Sequence, residues 1–379
     1  MAWAGGPAGP EFRSEQRAIN LSGVVITYRL VLIAPARSPI RQPFAGGTQA
    51  HVWAMTLALR QRGHTVDLFA PPGSDPRLAS LQLPVRPLGL SAQARADVSM
   101  PSEEFIQEHH AYLSLMQELS GRGRSFDLIH DHSFHYLPLT LAATVGIPMI
   151  STLHTPPTPW LESAVQAGSC PPVQFVAVSQ HTARSWQHLL GPVPIVHNGI
   201  DLARWPYGPG GDRAIWSGRI TPEKAPHLAL AACHQARIGL DIAGPIVDRS
   251  YFDTQVAPRL TARDRYLGHL EHDQLSAAVG HAAVAVVSPE WDEPYGLVVA
   301  EALACGTPVA AFARGGIPEI IDETCGVLAR PGDVAELAAS IRAAAGLDRR
   351  AARVRARAHC SVRAMVDGYE RVFAEVCGA

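Results

Sequence analysis

The chain of 379 residues is 47% hydrophobic and 17% charged, enough apolar material for two ordinary cores rather than one. Its formal charge of −2 offers no pull towards nucleic acid or anionic lipid, and no apolar run reaches the roughly 18 residues of a membrane span. Cys170, Cys233, Cys305, Cys325, Cys360 and Cys377 are scattered without a CxxC pair, which fits reduced, mostly buried thiols of a cytoplasmic protein.

Residues 1–27, opening MAWAGGPAGPEFRSEQ, lack the apolar centre of a signal peptide and read as a flexible leader. From residue 28, short apolar runs alternate with amphipathic segments, the α/β pattern of a parallel sheet covered by helices. RLVLIAP (29–35) reads as a buried strand, and GGTQAHVWAMTLALRQRGH as a helix closed by Gly63. TVDLF, FDLIH, IPMIST, QFVAVS and VPIVHN supply further strands, so a first doubly wound domain spans 28–200. DLARWPYGPGGD (201–212) breaks the rhythm and reads as a linker. A second alternating series over 213–350 runs through AIWSGR, IGLDIAG, AVAVVS, TPVAAF and GVLAR. From about Asp348 the tail (351–379) reads as one Arg-rich helix, and Arg349, Arg350, Arg353 and Arg357 make a basic face better suited to solvent than to a membrane.

Two features point to chemistry. Between Leu297 and Ala304 every side chain is apolar except Glu301, and Glu293 stands just before this segment. Pro294 holds Glu293 extended, so a helix begins after it. Gly296 allows close backbone approach, and the free N–H groups of Leu297 and Val298 then form a helix start suited to phosphate. Glu301, one turn in, leans back towards that start. An ionised carboxylate there needs a partner, which is either a neighbouring Arg or backbone amide, or a ligand. The second feature is Lys224, the only lysine among 32 basic side chains. It lies five residues after Arg219, in a loop following a strand, where open α/β sheets take ligands. Together the two cations suit a diphosphate.

At these residues the chain resembles the retaining GT-B glycosyltransferases of family 4. The likeness runs from about Arg29 to Val376 through FAGGTQAHVWAMTLALRQRGHTV, FDLIHDHS, FVAVSQHTA, VHNGID, SGRITPEK, YLGHL and EPYGLVVAEALACGTPVA, in the family's order. It implies two Rossmann-like domains facing across a cleft, with the C-terminal helix returning to the first. The implied reaction moves a sugar from a nucleotide diphosphate sugar, UDP slightly favoured, to an unidentified acceptor, without metal. The implied roles set Arg219 and Lys224 on the diphosphate, Glu293 on the sugar hydroxyls, Glu301 on the ribose and His154 near the reacting carbon. Gly46, Gly47, Gly218, Gly296, Leu297 and Val298 would bring backbone to the donor, with Leu270 beside the base. Asn198 either makes a further donor contact or, with Gly199, only ends the strand before the linker. The chain departs from the family's pattern at Thr155, where Asp is usual, and at Tyr295, in place of Phe. Ala225, in place of glycine, is read as a small change.

Other readings carry less. HDHSFH offers His130, His132 and His135 with Asp131, but adjacent and i, i+2 spacings do not converge on one ion, and a polar loop edging the cleft fits better. No Asp-x-Asp stands ready for a metal–diphosphate. A nicotinamide oxidoreductase would need Gly-x-Gly-x-x-Gly after the first strand, where APARSPIRQPFAGGTQ stands instead. A catalytically silent sugar-nucleotide binder would share every group named above.

Overall fold

A computed structural model describes residues 26–78, 81–82, 88–122, 125–167 and 173–378, so Cys170 and all but the last two residues of the leader lie outside it. The apolar runs become short strands because both of their faces are covered by helices, as in all-parallel sheets. In β1 (Arg29–Ile33), Leu30 and Leu32 enter one core while Val31 and Ile33 enter another on the opposite face. With β2 (Thr65–Ala70), β3 (Leu81–Gln82), β4 (Leu128–Asp131), β5 (Met149–Leu153) and β6 (Val173–Ala177) it forms a sheet of order β3-β2-β1-β4-β5-β6. All five pairings are parallel.

The second sheet repeats the plan. It comprises β7 (Ala214–Ser217), β8 (Leu240–Ala243), β9 (Arg265–Gly268), β10 (Val284–Val287), β11 (Val309–Phe312) and β12 (Gly326–Ala329), in the order β12-β11-β10-β7-β8-β9. Its pairings are parallel as well. In each sheet the winding reverses between the first strand and the fourth, β1/β4 and β7/β10. Ligands of open α/β sheets bind beyond the carboxyl ends at such points. The two helices that matter most for the site are α1 (Gly47–Gln61), which follows β1, and α2 (Leu297–Ala304), which follows β10.

Several sequence expectations change. VPIVHN is no strand: Ile195 makes a single bridge to Ala177 and the run continues as loop. Two short strands, β3 and β9, escape the apolar pattern. The tail is two helices, α3 (Arg349–His359) and α4 (Val362–Cys377), because Ser361 stops the first and caps the second by accepting from the Ala364 N–H at 3.2 Å. Nor is the basic stripe a solvated face. Arg349 donates to the carbonyls of Gly208, Gly280, Ala282 and Cys305, and Arg353 to those of Leu202, Trp205 and Ala304. Only Arg350 and Arg357 of the four are exposed. The segment 201–212 is thereby bound to the second domain, and a Cβ at Gly208 would stand 2.2 Å from the Gly280 carbonyl oxygen.

The chain crosses between domains twice, side by side. Ile200 N–H donates to Cys360 O at 2.8 Å and Val362 N–H to Ile200 O at 2.9 Å. α4 then packs on the first domain, placing Met365, Val366, Tyr369, Val372 and Phe373 in the core with Leu30, Val52 and Leu59. Arg62 pairs with Asp367 and Glu370, and His64 Nε2 reaches Glu370 at 3.1 Å. At the crossing a Cβ on Gly199 would lie 2.6 Å from both Ser361 O and Val362 Cα. Gly199→Ala is therefore expected to lower stability by about 1–3 kcal/mol, the usual cost of overpacking. Urea denaturation of the full chain measures it, and an unchanged midpoint would show that this crossing has slack.

Candidate functional site

The carboxyl ends of the two sheets enclose a cleft of about 570 Å³. It is lined by every residue singled out from the sequence as a site residue: Gly46, Gly47, His154, Asn198, Gly218, Arg219, Lys224, Leu270, Glu293, Gly296, Leu297, Val298 and Glu301. They arrive on six segments, loops or helix starts, four of which follow β1, β5, β7 and β10.

Two helix starts open into this space. Gly46 precedes α1 in an extended conformation and Gly296 precedes α2 at φ +104°, a left-handed geometry natural to glycine. Neither helix has a side-chain cap, and neither has an acidic residue in its first turn. Their unpaired N–H groups and positive dipole ends therefore remain free for an anion. The helices approach closely, since a Cβ on Gly47 would lie 3.1 Å from Leu297 Cδ1.

The cationic loop after β7 faces α2. Lys224 ends a single 3₁₀ turn, Pro222–Lys224, and its ammonium pairs with Glu293 Oε1. Trp291 Nε1 donates to the same oxygen at 3.0 Å, and the Lys224 nitrogen lies 4.9 Å from the Trp291 ring centre. One carboxylate oxygen thus has two donors, and no described residue donates to the other. Among the described residues Arg219 pairs with Glu223 alone, at 3.7 Å and partly exposed to solvent, a pairing of small energetic weight. Ala225 takes φ +48°, so the alanine after the lysine is not a small change: L-residues are strained there by roughly 1–2 kcal/mol and glycine is not. Gly218 and Gly244 bring two loops together so closely that a Cβ on Gly244 would sit 1.7 Å from Gly218 O.

Glu301 is different. Among the described residues nothing donates to its carboxylate, and burial raises it to about 7. The structural alternative, a carboxylate held by a neighbouring arginine or amide, finds no such neighbour. Across the cleft, Asn198 Oδ1 is buried and likewise unpartnered. Tyr295 turns its hydroxyl to Cys360 in the tail rather than to a ligand.

HDHSFH forms no polar loop at the cleft edge; its three histidines are buried, with the His130 and His132 rings packed 4.2 Å apart. His130 Nε2 meets Thr152 Oγ1 at 2.8 Å, and His135 Nδ1 accepts from the Leu137 N–H at 3.2 Å. His132 Nδ1 lies 2.9 Å from His154 Nε2. Burial lowers His132 and His154 well below the ordinary imidazole range, and His51 to about 3. The loop after His154 is held through Thr155 O, which accepts from Trp186 Nε1 at 2.8 Å. Sequence reasoning missed Trp291, Phe44, Phe134, Trp205 and His272, which also line the cleft. Only Trp291 had a signal, standing two residues before Glu293.

The chain matches two family descriptions, Glycosyltransferase Family 4 over residues 45–204 and Glycosyl transferases group 1 over 208–359. It is similar to a glycogen synthase of Mycobacterium tuberculosis, 31% identical over 365 residues covering 83% of this chain and 85% of that protein. It is 29% identical, over 395 aligned positions, to a D-inositol 3-phosphate glycosyltransferase of Mycobacterium bovis, covering 89% and 78%. Among solved structures, a sucrose-phosphate synthase from Thermosynechococcus elongatus matches with a TM-score of 0.72 at 20% identity, over 92% of this chain and 99% of that one. An Anabaena protein in complex with UDP-glucose matches with a TM-score of 0.68 at 17% identity, over 93% and 99%. These two likenesses establish the GT-B fold.

The raised Glu301 carboxyl has a stability signature. Its proton is held more tightly folded than unfolded, so the associated stability is complete below the ordinary value of 4.5 and is lost as pH rises through about 7. Glu301→Gln has no proton to lose. The variant's stability relative to the parent should therefore grow from pH 5 to pH 8 in ligand-free protein, measured by denaturant titration; a pH-independent difference would contradict the assignment.

Proposed function

The chain belongs to the family 4 glycosyltransferases, and on that premise we propose that it transfers a sugar, with retained anomeric configuration, from a nucleotide diphosphate sugar to a hydroxyl acceptor. The observation that carries this reading is the unpartnered Glu301 carboxylate beside an uncapped helix start. One offers acceptors to a ribose and the other donors to a diphosphate, about 6 Å apart along a helix of 1.5 Å rise.

The donor's diphosphate sits between the α2 N-terminus, Arg219 and Lys224, with the backbone of Gly46 and Gly47 approaching from the first domain. Glu301 accepts from the ribose hydroxyls, and Leu270 flanks the base. Glu293, anchored through Oε1 by Lys224 and Trp291, presents Oε2 to the sugar hydroxyls, and the His154 ring faces the reacting carbon. As the bond from the anomeric carbon to phosphate oxygen breaks, the electron pair leaves with the nucleoside diphosphate. Its growing charge meets Lys224, Arg219 and the helix dipoles, which are already in place. The acceptor oxygen bonds to the same face of the anomeric carbon, and its proton passes to the departing phosphate oxygen. This reading uses no metal at the diphosphate. A UDP-sugar is the favoured donor, as the UDP-glucose in the Anabaena structural neighbour also suggests. The reaction needs no membrane anchor, and none of the described helices is long and apolar enough to cross a membrane.

A panel of radiolabelled nucleotide sugars, with nucleotide release as readout, tests the activity; a donor that binds without turnover would favour a silent binder. With the active donor, Lys224→Ala should lower kcat on the order of 10²–10³-fold, and Lys224→Arg should recover only part, because a planar fork does not replace a compact ammonium. Glu301→Gln should chiefly raise KM. A near-parental kcat for Lys224→Ala would remove the leaving-group role. Adding Mg²⁺ or Mn²⁺ should leave the initial rate within about twofold, whereas an absolute requirement for either, of the kind in which such ions clamp phosphate oxygens, would overturn the metal-free diphosphate.

A further inference from the structure

The floor of the first domain holds a histidine cluster of which only His154 borders the cleft. His51 from α1, His132 from the loop after β4 and His154 from the loop after β5 converge from three separate elements. One ring nitrogen of each lies within 4.8 Å of the others, and all three residues are buried. The ring centres stand 4.8 Å apart for His51–His154, 5.2 Å for His132–His154 and 5.3 Å for His51–His132.

The hydrogen bonding of this cluster is incomplete. His51 is 1% exposed, yet neither of its ring nitrogens has a hydrogen-bond partner among the described residues, and His132 Nε2 also lacks one. A buried polar atom left without a partner is costly and calls for a specific explanation. Packing alone would be served better by a phenylalanine ring, which has no polar atom to leave unpaired.

We propose that His51, His132 and His154 form a three-imidazole site for a borderline divalent transition metal, zinc first, beneath the cleft. Neutral nitrogen donors in this number suit zinc, cobalt, nickel or copper and leave a fourth position open, whereas magnesium, calcium and manganese prefer oxygen. The geometry needs little change. His132 Nδ1 and His154 Nε2 already face each other at 2.9 Å, and adjacent ligands of a tetrahedral zinc with bonds near 2.0 Å lie about 3.3 Å apart. Binding needs the proton between that pair to move to the outward nitrogen of its own ring, so that both imidazoles stay neutral and each presents a bare nitrogen to the ion. No carboxylate is required, and no step of sugar transfer runs through the site. An ion there would fix the His154 ring from below and tie α1 to both loops.

The test uses the full chain stripped with a chelator and then titrated with cobalt(II), followed by its visible absorbance, and with zinc against a chromophoric chelator. The proposal expects about one equivalent per chain and a rise in Tm on loading, as for any ligand bound by the native state alone. His51→Phe keeps the ring volume and removes both nitrogens, so it should lower zinc affinity by at least about tenfold. Uptake below roughly a tenth of an equivalent, or equal uptake by His51→Phe, would overturn the site. Should that variant not fold, X-ray absorption of the zinc-loaded parent decides: three imidazoles support the site, and a shell of thiolates or carboxylates refutes it.

Discussion

An ionised carboxylate tolerates burial only when something donates to it, and the two carboxylates of the cleft meet that demand in opposite ways. Glu293 is satisfied in advance at one oxygen, where Lys224 and Trp291 converge. Glu301 has no donor among the described residues, and its raised pKa is the consequence. The first arrangement holds a side chain still before any ligand arrives. The second leaves a carboxylate at the cleft open to donors from outside the protein. The surrounding backbone conforms to both. Gly315 lies so close to the Glu293 segment that a Cβ would meet Glu293 O at 2.0 Å, and Gly316 N–H donates to that carbonyl at 2.7 Å. The loop bearing Glu293 is clamped main chain to main chain, leaving its side chain to face the cleft.

Much of this was legible in the sequence because the residues concerned act locally. Pro294 and Gly296 between the two glutamates dictate where the helix starts, and a single glutamate in an apolar turn stands out by contrast. The lone lysine stood out by composition. What escaped depends on distance in the chain. Arg349 and Arg353 looked like a solvated stripe because their partners are carbonyls and one hydroxyl 42 to 151 residues away, on the linker and at the ends of other elements. VPIVHN has the composition of a strand, but β6 already forms the end of its sheet, and only one residue of the run finds a bridge. Ala225 looked innocuous because a residue name does not disclose a positive φ. His51 was read as one more residue of an amphipathic helix, and its two histidine neighbours come from beyond residue 130.

The two domains share one plan but use it differently. In the second, the loops after β7 and β10 carry the charged groups Arg219, Lys224 and Glu293 into the cleft. In the first, the loops after β1, β4 and β5 bring mainly glycine, histidine and aromatic residues, Gly46 and Gly47, His154, Phe44 and Phe134, with Arg37 as a charged exception. Such a division suits a polar, charged ligand seated mainly on one wall, with the opposite wall supplying backbone approach and ring surfaces.

The returning tail has a consequence for how the protein is made. The first sheet, nearly complete by residue 177, keeps an apolar face that Met365, Val366, Tyr369, Val372 and Phe373 cover. A chain emerging from the ribosome at about 5–20 residues per second therefore carries that face bare while the entire second domain is synthesised, an interval of roughly ten seconds or more. The early domain exposes that face until residues 362–377 arrive, whereas the later domain, with its strands all within 214–329, waits only for the helices at 334–344 and 349–359.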